Sequence, residues 1–317
     1  MKKGRILVAG LLVLCLLGTF VVQAAGEYPT KPITFICPWG PGGMGDVTGR
    51  ILSKYLEKYL GQPIVFTNRP GGGAAVGLTA LANAKPDGYT IGNGHESGLL
   101  MPPRLRDVAY SLESFDVVGA YVRQEMVLYS REDRPWTTFE EFIEYAKENI
   151  VTVGEAGEWE KYCGRWLARE EELKWRAVRF LGGGENSAAL LGGHVDLAAA
   201  GEGTAVDLAA REGKLQMMVV YTRGHIPNFP DVKNLEDYGY DFYMLLARYV
   251  LVPAGTPEPI RKKLEDAVRE ATANPEFQAQ IKKINITPKF VGGSESEQLL
   301  KDADVMLDTM LSKYPVE

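Results

Sequence analysis

From residue 33 onward, short apolar runs alternate with stretches in which apolar residues recur every three or four positions. Such alternation is the mark of βαβ units feeding mostly parallel sheets, the α/β class. The first run, Ile33-Thr34-Phe35-Ile36, passes through Cys37-Pro38-Trp39-Gly40-Pro41-Gly42-Gly43-Met44-Gly45-Asp46 into a helix pattern over Val47, Ile51, Leu52, Tyr55, Leu56 and Tyr59, closed by Gly61 and Pro63. The second, Ile64-Val65-Phe66, runs into Asn68-Arg69-Pro70-Gly71-Gly72-Gly73 and a small-residue helix over 74–83. The third, Tyr89-Thr90-Ile91-Gly92, follows the turn Lys85-Pro86-Asp87-Gly88 and ends in Asn93-Gly94-His95-Glu96-Ser97-Gly98. Three strands ending in glycine-bearing loops converge on one sheet edge, where helix N-termini offer backbone amides to an anion.

The alternation continues with strands at 126–129, 150–154, 177–180, 195–199, 215–221 and 249–252, and helices at 139–148, 185–191, 204–211 and 258–273. Thr137-Thr138-Phe139-Glu140 reads as an N-cap box, and a second sheet begins near this point. No internal repeat or low-complexity tract is visible.

Lys2, Lys3 and Arg5 precede an apolar stretch over 6–22, and Val22-Gln23-Ala24 offers small residues before a cut: a secretory leader over 1–24. Leu14 before Cys15 disfavours lipid attachment there. Removing the leader takes away three positive and no negative charges, moving the formal net charge from -6 to -9, which argues against nucleic acid or an anionic membrane as partner. A mature chain of about 290 residues exceeds one ordinary core and favours two lobes. Only Cys37 and Cys163 remain, read first as two partly buried thiols; a disulfide between them needs Cα atoms within about 7 Å.

Several functional classes fit poorly. Gly40-x-Gly42-x-x-Gly45 matches a dinucleotide fingerprint, but the next strand ends in Asn68-Arg69 rather than an acid, and no Gly-Lys-Ser or Gly-Lys-Thr follows the glycines. The histidines are His95, His194 and His225, with no Gly-x-Ser-x-Gly elbow. A thiol enzyme pairing Cys163 with His95 stays as a minor alternative. No metal spacing convinces, Glu155, Glu158 and Glu160 reading as a solvated acidic loop, and no cofactor is expected.

The motifs Tyr28-Pro29-Thr30-Lys31-Pro32-Ile33, Pro38-Trp39-Gly40-Pro41-Gly42-Gly43 with Asp46, Asn68-Arg69-Pro70-Gly71, Pro86-Asp87-Gly88-Tyr89-Thr90, Leu191-Gly192-Gly193-His194-Val195-Asp196-Leu197 and Pro253-Ala254-Gly255-Thr256-Pro257 together resemble the extracytoplasmic solute receptors of tripartite tricarboxylate transporters. The resemblance spans nearly the whole mature chain. It implies a type II-like two-lobed periplasmic-binding-protein fold of two doubly wound sheets with a cleft between them. Lobe 1 would comprise 25–122 plus 249–317 and lobe 2 residues 123–248, with crossings near 121–127 and 246–250. It also implies a periplasmic monomer that delivers a small solute, usually a carboxylate, to membrane permease subunits without chemical turnover; the alternative is a ligand-sensing input protein for a signalling system.

The resemblance further implies ligand contacts from the turn holding Trp39, Gly40, Gly42 and Gly43, from His95 and Ser97, and from the facing loop. Asp46, Asn68 and Arg69 are expected to support the first turn, Asp46 as the cap of a helix over 47–60. Trp39 stands where the family has phenylalanine. The facing loop departs more. Where the family resembles Gly-Ser-Ala-Gly-x-Gly-Ser followed by histidine, this chain has Gly154-Glu155-Ala156-Gly157-Glu158-Trp159-Glu160-Lys161-Tyr162-Cys163, and Phe180-Leu181-Gly182 replaces tyrosine, lysine and glycine. Three ligand readings stay open. A cationic, amino-bearing or hydroxylated solute could meet Glu155 or Glu158; a carboxylate could bind with the glutamates turned to solvent and Arg248 supplying charge; or the solute could be uncharged.

Overall fold

The computed structural model describes residues 28–313 except 181, 223, 224, 227, 228, 244 and 245. The leader over 1–24, Cys15 and Leu181 therefore lie outside the described residues. In chain order the elements are β1 (Ile33–Cys37), α1 (Met44–Leu60), β2 (Ile64–Asn68), α2 (Ala75–Ala82), β3 (Thr90–Gly94), α3 (Glu96–Leu100), α4 (Pro102–Leu105), β4 (Phe115–Arg123) and β5 (Met126–Arg131). Next come α5 (Phe139–Glu148), β6 (Val151–Glu155), α6 (Glu158–Glu170), β7 (Trp175–Arg179), α7 (Gly183–Leu191), β8 (Leu197–Gly201), α8 (Ala205–Arg211) and β9 (Leu215–Val220). The chain closes with β10 (Ala247–Pro253), α9 (Glu258–Ala273), α10 (Pro275–Lys283), β11 (Thr287–Gly292) and α11 (Gly293–Lys313).

The strands form two sheets, ordered β11-β4-β10-β3-β1-β2 and β7-β6-β8-β5-β9, each the floor of one lobe. Neither is mostly parallel. In the first, β3-β1-β2 are parallel, but β10 runs antiparallel between β3 and β4, and β11 runs antiparallel on β4. In the second, β5 is antiparallel to both β8 and β9. Sequence periodicity cannot separate these cases, because a strand buried on both faces reads as one apolar run in either direction.

Period-2 alternation assigns each strand's side chains to two layers. Ile33 and Phe35 pack under α1, α9 and α10, with Tyr55 edge-on to Phe277 at 5.5 Å between ring centroids. Ile36 points the other way, into a core shared by both lobes that joins Leu78, Leu99 and Leu307 to Val153, Trp159 and Phe142. A third cluster, with Val127, Tyr129, Leu190 and Val206, backs the second sheet. Thr138 caps α5 with Glu141, rather than Glu140, completing the box, and Thr204 caps α8. No described helix is long and apolar enough to cross a membrane.

The chain passes from the first sheet to the second between Arg123 and Met126 and returns at Leu246–Ala247. The two passages are stitched together. Gln124 N–H donates to Leu246 O at 2.8 Å, Gln124 Nε2 to Glu202 O at 2.6 Å, and Glu125 N–H to a Glu202 carboxylate oxygen at 3.1 Å. Glu202 is also ion-paired with Arg211 at 3.0 Å, so both passages rest on the loop after β8.

The small-residue helix α2 is small for a reason. A Cβ at Gly77 would lie 2.6 Å from Pro38 Cβ, 2.7 Å from Pro38 Cα and 2.8 Å from Arg69 O, so α2 packs directly on the turns after β1 and β2. Gly77→Ala is expected to cost about 1–3 kcal/mol by overpacking against backbone that cannot yield. Urea unfolding of the purified protein measures it; a change below about 0.5 kcal/mol would show that α2 is free to shift.

Candidate functional site

The turn after β1 delivers Trp39, Gly40, Gly42 and Gly43 to the junction of the lobes. Gly43 is the N-cap of α1 without a side-chain hydrogen bond, leaving its first amides unused. Gly42 has φ of +83°, and a Cβ at Gly40 or Gly42 would meet nothing within 4 Å, so this backbone faces open space.

Asp46 lies in the first turn of α1 rather than at its cap, because the helix begins at Met44. Its carboxylate reaches back to Gly42 N–H at 3.0 Å and also accepts from Arg50 Nε at 2.9 Å and Asn68 Nδ2 at 2.8 Å. Asn68 Nδ2 donates to Trp39 O at 2.9 Å as well, and Asn68 Oδ1 accepts from Arg50 Nη2 at 2.8 Å. One buried carboxylate and one amide thus set the curvature of the turn. Burial alone would raise the Asp46 carboxyl, but the Gly42 amide, Asn68 and Arg50 outweigh it and hold the group below its usual range. Arg69 does not take part: its side chain is exposed, and its backbone N–H donates to Cys37 O at 2.8 Å. Arg50 fills the supporting role expected of Arg69; its i,i+4 spacing from Asp46 was the available signal.

His95 stacks on Trp39 with centroids 4.6 Å apart and planes 13° apart. Its Nδ1 accepts from Ser97 N–H at 3.1 Å, capping α3 and leaving Nε2 as the other ring nitrogen. Burial, and then the nearby Arg248 charge, push this imidazole well below its ordinary range, so it is neutral at pH 7. The Arg248 guanidinium carbon lies 5.7 Å from the Trp39 ring centroid.

Arg248 is 8% exposed. Nη2 contacts Gln124 Oε1 at 3.5 Å, while Nε and Nη1 have no hydrogen-bond partner. The residues flanking it are clamped. Glu96, fully buried, accepts from Ala247 N–H at 3.2 Å and from the Tyr249 hydroxyl at 2.5 Å. Glu96 and Glu160 both act on the Arg248 charge without bonding it, and burial lowers the guanidinium below its ordinary value.

The second lobe presents the end of β6 and the N-termini of α6 and α7, whose N-caps Gly157 and Gly182 again lack side-chain hydrogen bonds. A cavity of about 540 Å³ lies here, lined by Glu155, Ala156, Gly157, Glu158, Arg179, Phe180 and Glu185, with Gly73 and Arg106 across from the first lobe. Glu155 is not turned to solvent. It is 3% exposed, both carboxylate oxygens lack a hydrogen-bond partner, and burial raises its carboxyl despite the nearby Arg165, Arg179 and Lys161 charges. The Trp175 indole N–H faces it without reaching hydrogen-bond geometry. Glu158 is half-buried and ion-paired to Lys161 at 3.4 Å and Arg179 at 3.3 Å.

Cys163 is buried in the shared core, and burial followed by the Glu160 charge pushes its thiol well up. It makes no hydrogen bond to His95, so the thiol–imidazole pairing lacks its geometry. Cys37 is likewise buried and free. Among the described residues no cluster of three His, Cys, Asp or Glu is placed to hold a metal ion. His194 and His225 are exposed, and His225 lies near enough to Glu125 in the first passage to act on its charge.

Residues 48–313 match the family described as the tripartite tricarboxylate transporter family receptor. A UPF0065 protein of Agrobacterium vitis is 31% identical over 262 residues, 81% of this chain and 75% of its own length. Protein BugT of Bordetella pertussis is 27% identical over 319 residues, 93% of this chain and 97% of its own. Among solved structures, MatC from Rhodopseudomonas palustris with bound malate is 26% identical with a TM-score of 0.76, covering 90% of this chain and 100% of that one. The periplasmic binding protein BugD is 26% identical with a TM-score of 0.74, covering 92% and 99%.

The Asp46 network makes a pH-dependent forecast. A carboxyl held below its unfolded value stabilises the fold above that value, about pH 4, and loses this contribution as pH falls through the lower folded value. Asp46→Ala is expected to cost about 1–3 kcal/mol at pH 7, with the gap to the parent narrowing below about pH 4. Urea titrations at pH 7 and pH 3 check both halves; a gap of equal size at both values would place the effect elsewhere.

Proposed function

The chain belongs to the tripartite tricarboxylate transporter receptor family, a family of periplasmic solute receptors rather than enzymes, and we propose that it captures a small carboxylate between its lobes for delivery to membrane permease subunits. The observation that carries this reading is Arg248. A guanidinium buried at the lobe junction with Nε and Nη1 unpartnered is costly unless an anion completes it, and each of these nitrogens can donate to a carboxylate oxygen.

The surrounding groups support the same reading. Trp39 forms a flat wall near the guanidinium, and His95 stacks on the indole. The Gly42 amide is taken by Asp46, but the first amides of α1 beyond its uncapped Gly43 stay available, where the helix dipole favours an anion. Asp46, Asn68 and Arg50 set the loop, and Ser97 fixes the imidazole. From the second lobe, Ala156, Gly157 and Gly182 bring backbone close to the solute, and Glu155 and Glu158 face its far end. The malate bound by MatC, a relative of the same architecture, agrees with a carboxylate in this cleft.

In this reading 1–24 directs export, 25–123 with 247–317 forms one rigid body and 124–246 the other, the strands β4 and β10 carrying Arg123 and Arg248 into the first, and the receptor works as a monomer. The lobes close about the two passages at 123–126 and 246–247, a hinge motion of the usual kind.

Arg248→Met tests the proposal. Truncating one side of a buried charge pair costs about 2–5 kcal/mol, so calorimetry should show carboxylate affinity falling roughly thirtyfold or more. The unliganded variant should unfold at the same or a higher temperature than the parent, because it no longer buries an unpartnered charge. Unchanged affinity would overturn the assignment, and lost affinity with a lower melting temperature would point to damaged folding instead.

A further inference from the structure

Two ends of a bound solute would meet different surroundings, and the far end is the unusual one. Glu160 is the third residue of α6, and a Cβ at the N-cap Gly157 would collide with its carboxylate. The carboxylate therefore lies over the helix N-terminus, the place where the dipole would otherwise hold an incoming anion. It also acts on Arg248 across the junction. Glu158 is committed to Lys161 and Arg179. Glu155 remains: 97% buried, lining the 540 Å³ cavity, with two acceptor oxygens and no donor bonded to either. A second solute carboxylate placed here would face Glu155, Glu158 and Glu185 in the lining, against Arg106 and an Arg179 already paired with Glu158, and a helix terminus already occupied by the chain's own anion. A donor placed here would satisfy an acceptor that is otherwise buried bare.

We propose that the receptor selects a small monocarboxylate whose far end is an ammonium group, with Glu155 accepting from the nitrogen and Glu160 standing in for a second ligand carboxylate. This rests on the assignment of the near carboxylate to Arg248. It goes further by giving the solute a direction and a net charge near zero. Glu155 determines specificity by touching the solute. Glu160 is a positioning residue that acts through the helix terminus and Arg248.

The test is calorimetry at pH 7.5 on the mature receptor, stripped of copurified solute by unfolding and refolding. The probes are ω-amino carboxylates, alkyl monocarboxylates and dicarboxylates matched at two, three and four methylenes, 4-aminobutyrate, pentanoate and glutarate being the middle set. At the best length the amino compound should bind at least tenfold tighter than both partners. Glu155→Gln and Glu155→Ser should each weaken the amino compound at least tenfold more than the alkyl one. Glu160→Gln should improve the dicarboxylate relative to the amino compound by at least threefold. A dicarboxylate that binds the parent as tightly as the amino compound, with its binding lost in Arg248→Met, would overturn this inference alone. No binding of any probe, or binding indifferent to Arg248→Met, would overturn the carboxylate reading as well. Circular dichroism and thermal unfolding of each variant separate lost recognition from lost fold.

Discussion

A guanidinium buried where two lobes meet, with two of its three nitrogens unpartnered, is the interaction on which the rest of this molecule turns. Taking such a charge from water costs several kcal/mol, so the surrounding fold must hold it in place against that cost. It does so through backbone. Arg248 lies at the start of β10, paired with Val122 of β4, and the ladder with β3 begins at the next residue, Tyr249. Glu96 grips the residues before and after it, and Gln124 reaches it from the opposite passage. A side chain anchored this way is held at the lobe junction by its own backbone, which is preorganisation in the ordinary physical sense.

The two walls of the cleft are built on different principles. In the first lobe a buried Asp46–Asn68–Arg50 network freezes a glycine turn, so recognition falls to backbone amides, a stacked Trp39–His95 pair and one cation. In the second lobe side chains dominate, and three glutamates within six residues take three separate environments: Glu155 buried and bare, Glu158 ion-paired, Glu160 folded over a helix end. An anion-reading wall faces an acceptor-rich one.

Much of this was legible in the residues. The strand–glycine–helix turns, the Thr138 cap, the long helix after Pro257 and the interest of Arg248 all followed from local chemistry, because spacing and capping are local properties. What escaped was non-local. Strand β4 was missed, and β10, read as a strand, gave no sign that it runs antiparallel between β3 and β4. That pairing joins residues more than 120 apart, and no short window of sequence contains it. Strand β11, with Pro288 and Lys289 on its edge position, reads as loop by composition. Asp46 was expected one turn too early in its role because the helix begins at Met44. The three glutamates read as one acidic patch, since only geometry distinguishes a carboxylate over its own helix terminus from one beneath the helix.

Cys37 and Cys163 lie in opposite lobes, each buried and unbonded. Burial pushes both thiols up, and only a thiolate attacks a disulfide or an oxidant at a useful rate. A receptor family that works in an oxidising compartment gains from this arrangement, since a bond between the lobes would convert a reversible trap into a latched one. The protonated thiol is thus a kinetic safeguard: the same desolvation that makes the Arg248 charge costly keeps these sulfurs unreactive.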